Sequence, residues 1–254
     1  LRDYVERLDA DVIALQEVNG PRAGRRIFPE SEYTLYFSGR YVEDLATGRS
    51  TDHIYTGFAV RRGVFDGVTK RDYAELSLRG RELGRTVRWG TDLLVERDGQ
   101  YLRLLSVHLK SGCFARRLDP PANDPACPIL AAQRDPLEAW VDRRAAERIP
   151  FAVLGDFNRA MDIHGQRDHL WEALDDGEPA DLDLWRLPFH QESACWKGTR
   201  RHHRHPVDFL VFDDRAWNRV DEESFIQLTY DLVDRDIGQG TPSDHCPISV
   251  EIEL

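Results

Sequence analysis

Five apolar runs in this 254-residue chain end in, or carry, an acidic or imidazole side chain. DVIALQEV closes on Gln16 and Glu17, and YLRLLSVHLKSG carries His108. FAVLGDFNR carries Asp156 and Asn158, and PVDFLVF carries Asp208. The last run, TPSDHCPISVEIEL, begins with Asp244 and His245. A buried strand that ends in a polar group is how a rigid scaffold presents chemistry to a cleft. Several oxygen ligands together suit a hard divalent ion such as Mg²⁺, with Mn²⁺ and Ca²⁺ as alternatives. The imidazoles are left free for proton transfer. Each group alone has an ordinary reading: an exposed turn, a satisfied core histidine, a helix cap, an ion pair with a neighbouring Arg. The ordered set is far more specific than any member.

The elements that must position these groups are short. Residues 1–9 place Leu1, Tyr4, Val5 and Leu8 at helical spacing. Strand-like runs are expected at 11–16, 33–37, 55–61, 85–89, 92–96, 101–109, 151–154, 207–212 and 247–254. Asp98-Gly99 between two of them is a hairpin signal. The clearest helix covers about 129–148, with a kink or a restart at Pro136 and Asp135 as cap. A second helix is expected over 168–174. The basic tract KGTRRHHRH, 197–205, reads as a loop, and with Trp196 before it offers an aromatic and phosphate contacts from Lys197, Arg200 and Arg201. Many short strands in hairpin order with few helices read as α+β, with two sheets packed face to face.

Charge and cysteines narrow the class. The 34 basic and 45 acidic residues give a formal net charge of −11, so the chain does not coat a duplex by charge alone. No run approaches about 18 uninterrupted apolar residues, so no transmembrane helix is expected. The four cysteines allow three pairings, and no C-x-x-C occurs. Cys113 and Cys127 bracket a proline-rich stretch that a bridge would staple, which leaves Cys195 with Cys246. Two bridges imply an oxidising compartment, a periplasm or the cell exterior; four free thiols in a cytosolic enzyme are the alternative.

LQEV (15–18), SVHL (106–109), GDFN (155–158), the Asp of PVDFLVF (208) and SDH (243–245) occur in an order that resembles the endonuclease/exonuclease/phosphatase superfamily. The resemblance spans 11–254. It implies one domain over 1–254 with the deoxyribonuclease I-like four-layer α/β sandwich: two mixed β-sheets face to face and helices outside. It implies Glu17 and Asp244 at a metal. It implies Asp156 at the attacking water, Asn158 and His108 at the phosphate, and Asp208 paired with His245. Members open with a central strand ending in a metal-side Asn, ahead of the helix before LQEV. That strand is not among these residues, and an N-terminal truncation is the expectation. The implied activity is a metal-dependent phosphodiester hydrolase, a nuclease on DNA or RNA. A phosphatase or phospholipase-type enzyme on small or lipid phosphoesters is the alternative, and an inactive binding module is a third reading of another class. Nothing in the sequence indicates an oligomer, and a monomer is assumed.

Overall fold

A computed structural model describes the chain except 49–52, 81–86, 119–123, 165–166, 181, 198–200, 232–233 and 235–242. In order, its elements are α1 (Arg2–Leu8), β1 (Val12–Val18), α2 (Gly20–Ile27), β2 (Tyr33–Phe37), α3 (Arg40–Thr47), β3 (Tyr55–Arg61), β4 (Gly67–Tyr73), β5 (Gly90–Arg97) and β6 (Gln100–His108). Then come α4 (Cys127–Glu147), β7 (Phe151–Asp156), α5 (Trp171–Leu174), β8 (Leu184–Leu187), β9 (Trp196–Lys197), β10 (Arg201–His202), β11 (Asp208–Asp213), α6 (Asp214–Trp217), β12 (Val220–Gln227) and β13 (Ile248–Ile252).

Six strands form one sheet in the order β4-β5-β6-β7-β11-β8, with β6 and β7 parallel and every other pair antiparallel. Asp98 and Gly99 both take positive φ and close the β5–β6 hairpin, as a primed turn requires. Period-two alternation splits the sheet's side chains. Leu102 and Leu104 of β6, Ala152 of β7 and Phe212 of β11 face the smaller sheet, and pack with Phe58 and Val60 of β3 and Val250 of β13. Leu105, Val107, Phe151, Val153 and Phe209 face the other way, onto Leu137 and Trp140 of α4. Leu15, Tyr33, Tyr55 and Phe28 fill the outer face of the smaller sheet. The layers are therefore helix, sheet, sheet, helix.

The second sheet departs from the expected mixed sheet. Among the described residues it consists of an antiparallel set, β1-β3-β2, and a separate antiparallel pair, β12-β13. A groove of about 1130 Å³ lies between β1 and β13, lined by Val12, Ala14 and Gln16 on one side and Ile248, Val250 and Ile252 on the other.

Four local expectations change. Helix α4 runs unbroken through Pro136, so it does not restart there and Asp135 lies inside the helix, not at an N-cap. Burial of Leu137, Trp140 and Val141, together with the Tyr73 hydroxyl donating to the Pro136 carbonyl at 2.5 Å, offsets the hydrogen bond that proline cannot make. The strand expected over 85–89 is absent from its described part, 87–89, where the Trp89 carbonyl instead accepts from Thr56 Oγ1; residues 85 and 86 lie outside the described residues. The tract 197–205 is not a plain loop, because β9 and β10 pair within it. The second helix is shorter than expected, Trp171–Leu174, and Asp168 accepts the Leu170 N–H ahead of it. Both bridges form as expected, Cys113–Cys127 and Cys195–Cys246. Among the described residues no helix is long and apolar enough to cross a membrane.

Candidate active site

Strand register builds the centre of the site. His108 pairs with Asp156 across β6–β7, and Asp156 with Asp208 across β7–β11. The three stand in one row at one end of the large sheet. They share a parity with Leu104, Leu154 and Leu210, so all three face the second sheet. Asp156 is packed close: a Cβ on Gly155, at φ +131°, would lie 2.4 Å from the Val107 carbonyl and 2.7 Å from Gln16 Nε2. Only glycine fits that approach of β7 to β6.

Glu17 reaches the site by a different device. The β1–β3 register slips between Leu15 and Val18, and Glu17 takes φ +57°. Such a bulge re-aims a side chain that strict alternation would send to the outer face. Gln16 fixes the turn by donating to Ser106 Oγ at 3.0 Å. Asn158 also sits in the left-handed region, at φ +52°, a conformation Asn tolerates. Its Nδ2 donates to Asp156 Oδ2 at 2.6 Å and to the Leu109 carbonyl at 3.1 Å, and its N–H to Asp156 Oδ1 at 2.7 Å.

His245 Nδ1 lies 2.8 Å and 3.0 Å from the two Asp208 carboxylate oxygens. The Asp208 charge, opposed by burial, pushes the imidazole up to about 10, so His245 is an imidazolium at neutral pH. His108 is the opposite case. Burial first, then the charges of Arg88, His245 and Arg40, push it down to about 3. It is therefore neutral, and its Nε2 lies 3.4 Å from Asp156 Oδ2 and 3.6 Å from Glu17 Oε1. Burial and then the Asp208 carboxylate raise Asp156, with Glu17 adding to the repulsion.

Asp156, Asp208 and His245 bring one ligand atom each within 4.8 Å of one another. A cationic His245 held by Asp208 makes an ion pair, not a ligand set, so a hard ion falls to the carboxylates. Oxygen donors whose mutual repulsion is unrelieved are the chemistry a divalent cation satisfies, and on that ground the residues fit one. Glu17, three-fifths exposed, offers its oxygens to the cleft. Asp244 is half-buried and close enough to act on the His245 charge.

Trp196 is half-buried, and its ring stacks on His202, centroids 4.9 Å apart and 18° from parallel. The Cys195–Cys246 bridge ties this hairpin to the residue after His245. Arg200 lies outside the described residues, as do the side chains of Lys197 and Arg201. Two residues went unread in the sequence: the buried Arg40 and Arg88, whose charges both act on His108. Arg40 starts a helix and Arg88 sits between an undescribed stretch and β5, so no motif flagged either.

The family model described as the Endonuclease/Exonuclease/phosphatase family matches residues 1–245. The chain belongs to this endonuclease/exonuclease/phosphatase family. Solved structures similar to it include truncated TDP2 from Caenorhabditis elegans, 17% identical over 97% of this chain and 86% of that one, TM-score 0.61. The catalytic domain of APE2 from Xenopus laevis is 14% identical over 99% and 86%, TM-score 0.60. The 3′ phosphatase NExo from Neisseria, bound to a product DNA hairpin, is 15% identical over 100% and 93%, TM-score 0.55. No protein of curated function matches the sequence. These likenesses carry the deoxyribonuclease I-like fold of the endonuclease/exonuclease/phosphatase family over essentially the whole chain.

Proposed function

We propose that this family member is a metal-dependent phosphodiester hydrolase whose substrate is nucleic acid. One observation carries the reading: a charged His245 is held by Asp208, which pairs across β7–β11 with Asp156 in the middle of the row. That pairing places a proton donor and a proton acceptor on one cleft. Glu17, with Asp244, would hold the ion, and the all-oxygen donors favour Mg²⁺. A bound cation would polarise a phosphoryl oxygen and offset the carboxylate repulsion.

This chain's own groups do the rest. Asp156, held by two hydrogen bonds from Asn158, orients a water and takes its proton. Burial and Asp208 raise its proton affinity, and a bound cation would oppose that rise and leave the carboxylate ionised to accept. The bond from water oxygen to phosphorus forms as the bond to the leaving oxygen breaks. His245 donates the Nε2 proton to that oxygen, while Asp208 keeps Nδ1 engaged. His108, neutral and buried, braces Glu17 and Asp156 at their spacing. The two disulfides support a place in an oxidising compartment, a periplasm or the cell exterior.

The test is turnover with and without Mg²⁺ on plasmid DNA, RNA, sphingomyelin and inositol phosphates side by side. Cleavage of the polynucleotides that Mg²⁺ stimulates and Asp156→Asn abolishes is expected. Turnover confined to the lipid or inositol esters would overturn the substrate reading, and nicked versus end-shortened plasmid separates endo from exo action.

A further inference from the structure

Beyond the row of site residues, β6 and β7 both run on into loops. The first, 109–118, is held by the Cys113–Cys127 bridge. The second, which begins at Phe157, bridges the first through Phe114 and Arg159. Arg159 Nη1 donates to the Arg116 carbonyl at 2.6 Å, and His164 Nε2 lies 3.0 Å from the Ala115 carbonyl. Between the two loops is a pocket of about 470 Å³.

Its lining is rich in arginine and histidine beside Ala115 and Ile163. Arg117, Arg159 and Arg167 supply three guanidinium groups and His164 and His169 two imidazoles, and among the described residues no carboxylate lines it. Arg159 forms the floor: it is 1% exposed and pairs at 2.8 Å with Asp168, which is fully buried. That pair is neutral. Arg117 and Arg167 are exposed, and among the described residues neither makes an ion pair. Among the described residues, a chain of net charge −11 has thus brought two arginines without an ion pair to one place. Arg159 directly follows Asn158 in the chain, so the loop that forms the floor is continuous with the strand end that carries the site.

We infer that this pocket is a second phosphate site, which holds a backbone phosphate of the nucleic acid beside the scissile one. The inference rests on the nucleic-acid reading above and adds where the strand runs: from His245 across Asn158 into the cleft between the loops. Guanidinium forks match phosphate oxygens in pairs. A nucleic-acid strand carries a phosphate at every nucleotide, so a strand with one phosphate at Asn158 presents further phosphates to the loops that continue from β6 and β7. The disulfide on one loop and the buried Arg159–Asp168 pair under the other keep the two walls in place before substrate arrives. That lowers the ordering cost of binding.

The experiment compares two substrates that differ in phosphate number: a single-stranded oligonucleotide, and bis(p-nitrophenyl) phosphate, which has one phosphate. The Arg117→Ala/Arg167→Ala protein is measured against the parent on both. The expected result is a fall of about tenfold or more in the ratio of kcat/KM for the oligonucleotide to kcat/KM for the small ester, carried by KM, as for lost hydrogen bonds to charged groups. The salt slope of oligonucleotide cleavage should fall by about one per arginine removed. Arg117→Lys/Arg167→Lys should recover much of the ratio and the slope. An unchanged ratio, or equal losses on both substrates, overturns the second phosphate site and leaves the nuclease reading standing. A parent protein that hydrolyses the small ester and no oligonucleotide overturns both.

Discussion

Replacing Asp208 by Asn removes one charge and little else. The amide keeps an oxygen to accept from His245 Nδ1, so the ring stays oriented. What changes is proton affinity. The Asp208 carboxylate is the largest cause of the rise of His245 to about 10. Without it the imidazole returns toward the ordinary value near 6.5. At pH 8 a group titrating at about 6.5 is roughly 3% protonated, so a reaction that needs the imidazolium loses about 30-fold. His245 is 40% exposed, and water screens part of the pair. Halving the rise for that screening still leaves a loss of about 20-fold at pH 8. At pH 6 the variant imidazole is mostly charged, and the loss should shrink to less than about twofold from this cause. The assay is the pH profile of kcat/KM at saturating Mg²⁺, with an NMR titration of the His245 ring in the metal-free protein. Equal losses at pH 6 and pH 8, or a ring that titrates unchanged in the variant, would refute the assignment of His245 as the cationic proton donor.

Glu17→Gln should abolish Mg²⁺-stimulated hydrolysis and weaken Mg²⁺ binding in calorimetry, with little change in Tm, because the side chain is 60% exposed; retained metal binding would remove Glu17 from the site. Gly155→Ala should destabilise by about 1–3 kcal/mol or more in urea unfolding, since its Cβ would meet backbone at 2.4 Å and its φ is left-handed. Reduction should lower Tm: on the chain-entropy model, opening the 14-residue and 51-residue separations costs about 3 and 4 kcal/mol, and four thiols titratable in the untreated native protein would deny both bridges. His108 titrates near 3 when folded and near 6.5 when unfolded, so its contribution is complete above about 6.5 and is lost as pH falls toward 3. Urea midpoints of the metal-free protein should therefore drop more steeply between pH 6 and pH 4 than those of His108→Asn, and parallel curves would contradict a buried neutral ring.

The groups of the candidate site were legible because each sits where an apolar run stops. Period two then does the geometric work. Once β6, β7 and β11 are neighbours, His108, Asp156 and Asp208 must form a row. The bridges were legible from four cysteines and one proline-rich span. Strands β4 and β12 were not. GVTKRDY lies at the edge of the large sheet and VDEESFIQ in a two-stranded pair, and both carry the charges that exposed edges favour. An exposed charged strand looks like a loop to any reading based on apolar periodicity.

The linear order of residues thus determined the family, the layers, and the meeting of His108, Asp156 and Asp208 at one sheet end. It did not determine what state they are in. His108 and His245 are the same residue type at matching strand ends, yet one is held neutral by burial and arginines and the other charged by Asp208. Glu17 points inward only because the register slips beside it. Arg40, Arg88 and the cationic pocket at Arg117 and Arg167 gather from segments far apart in the chain. Proton affinity, side-chain aim and local potential depend on neighbours and on excluded water, and those exist only once the two sheets have packed.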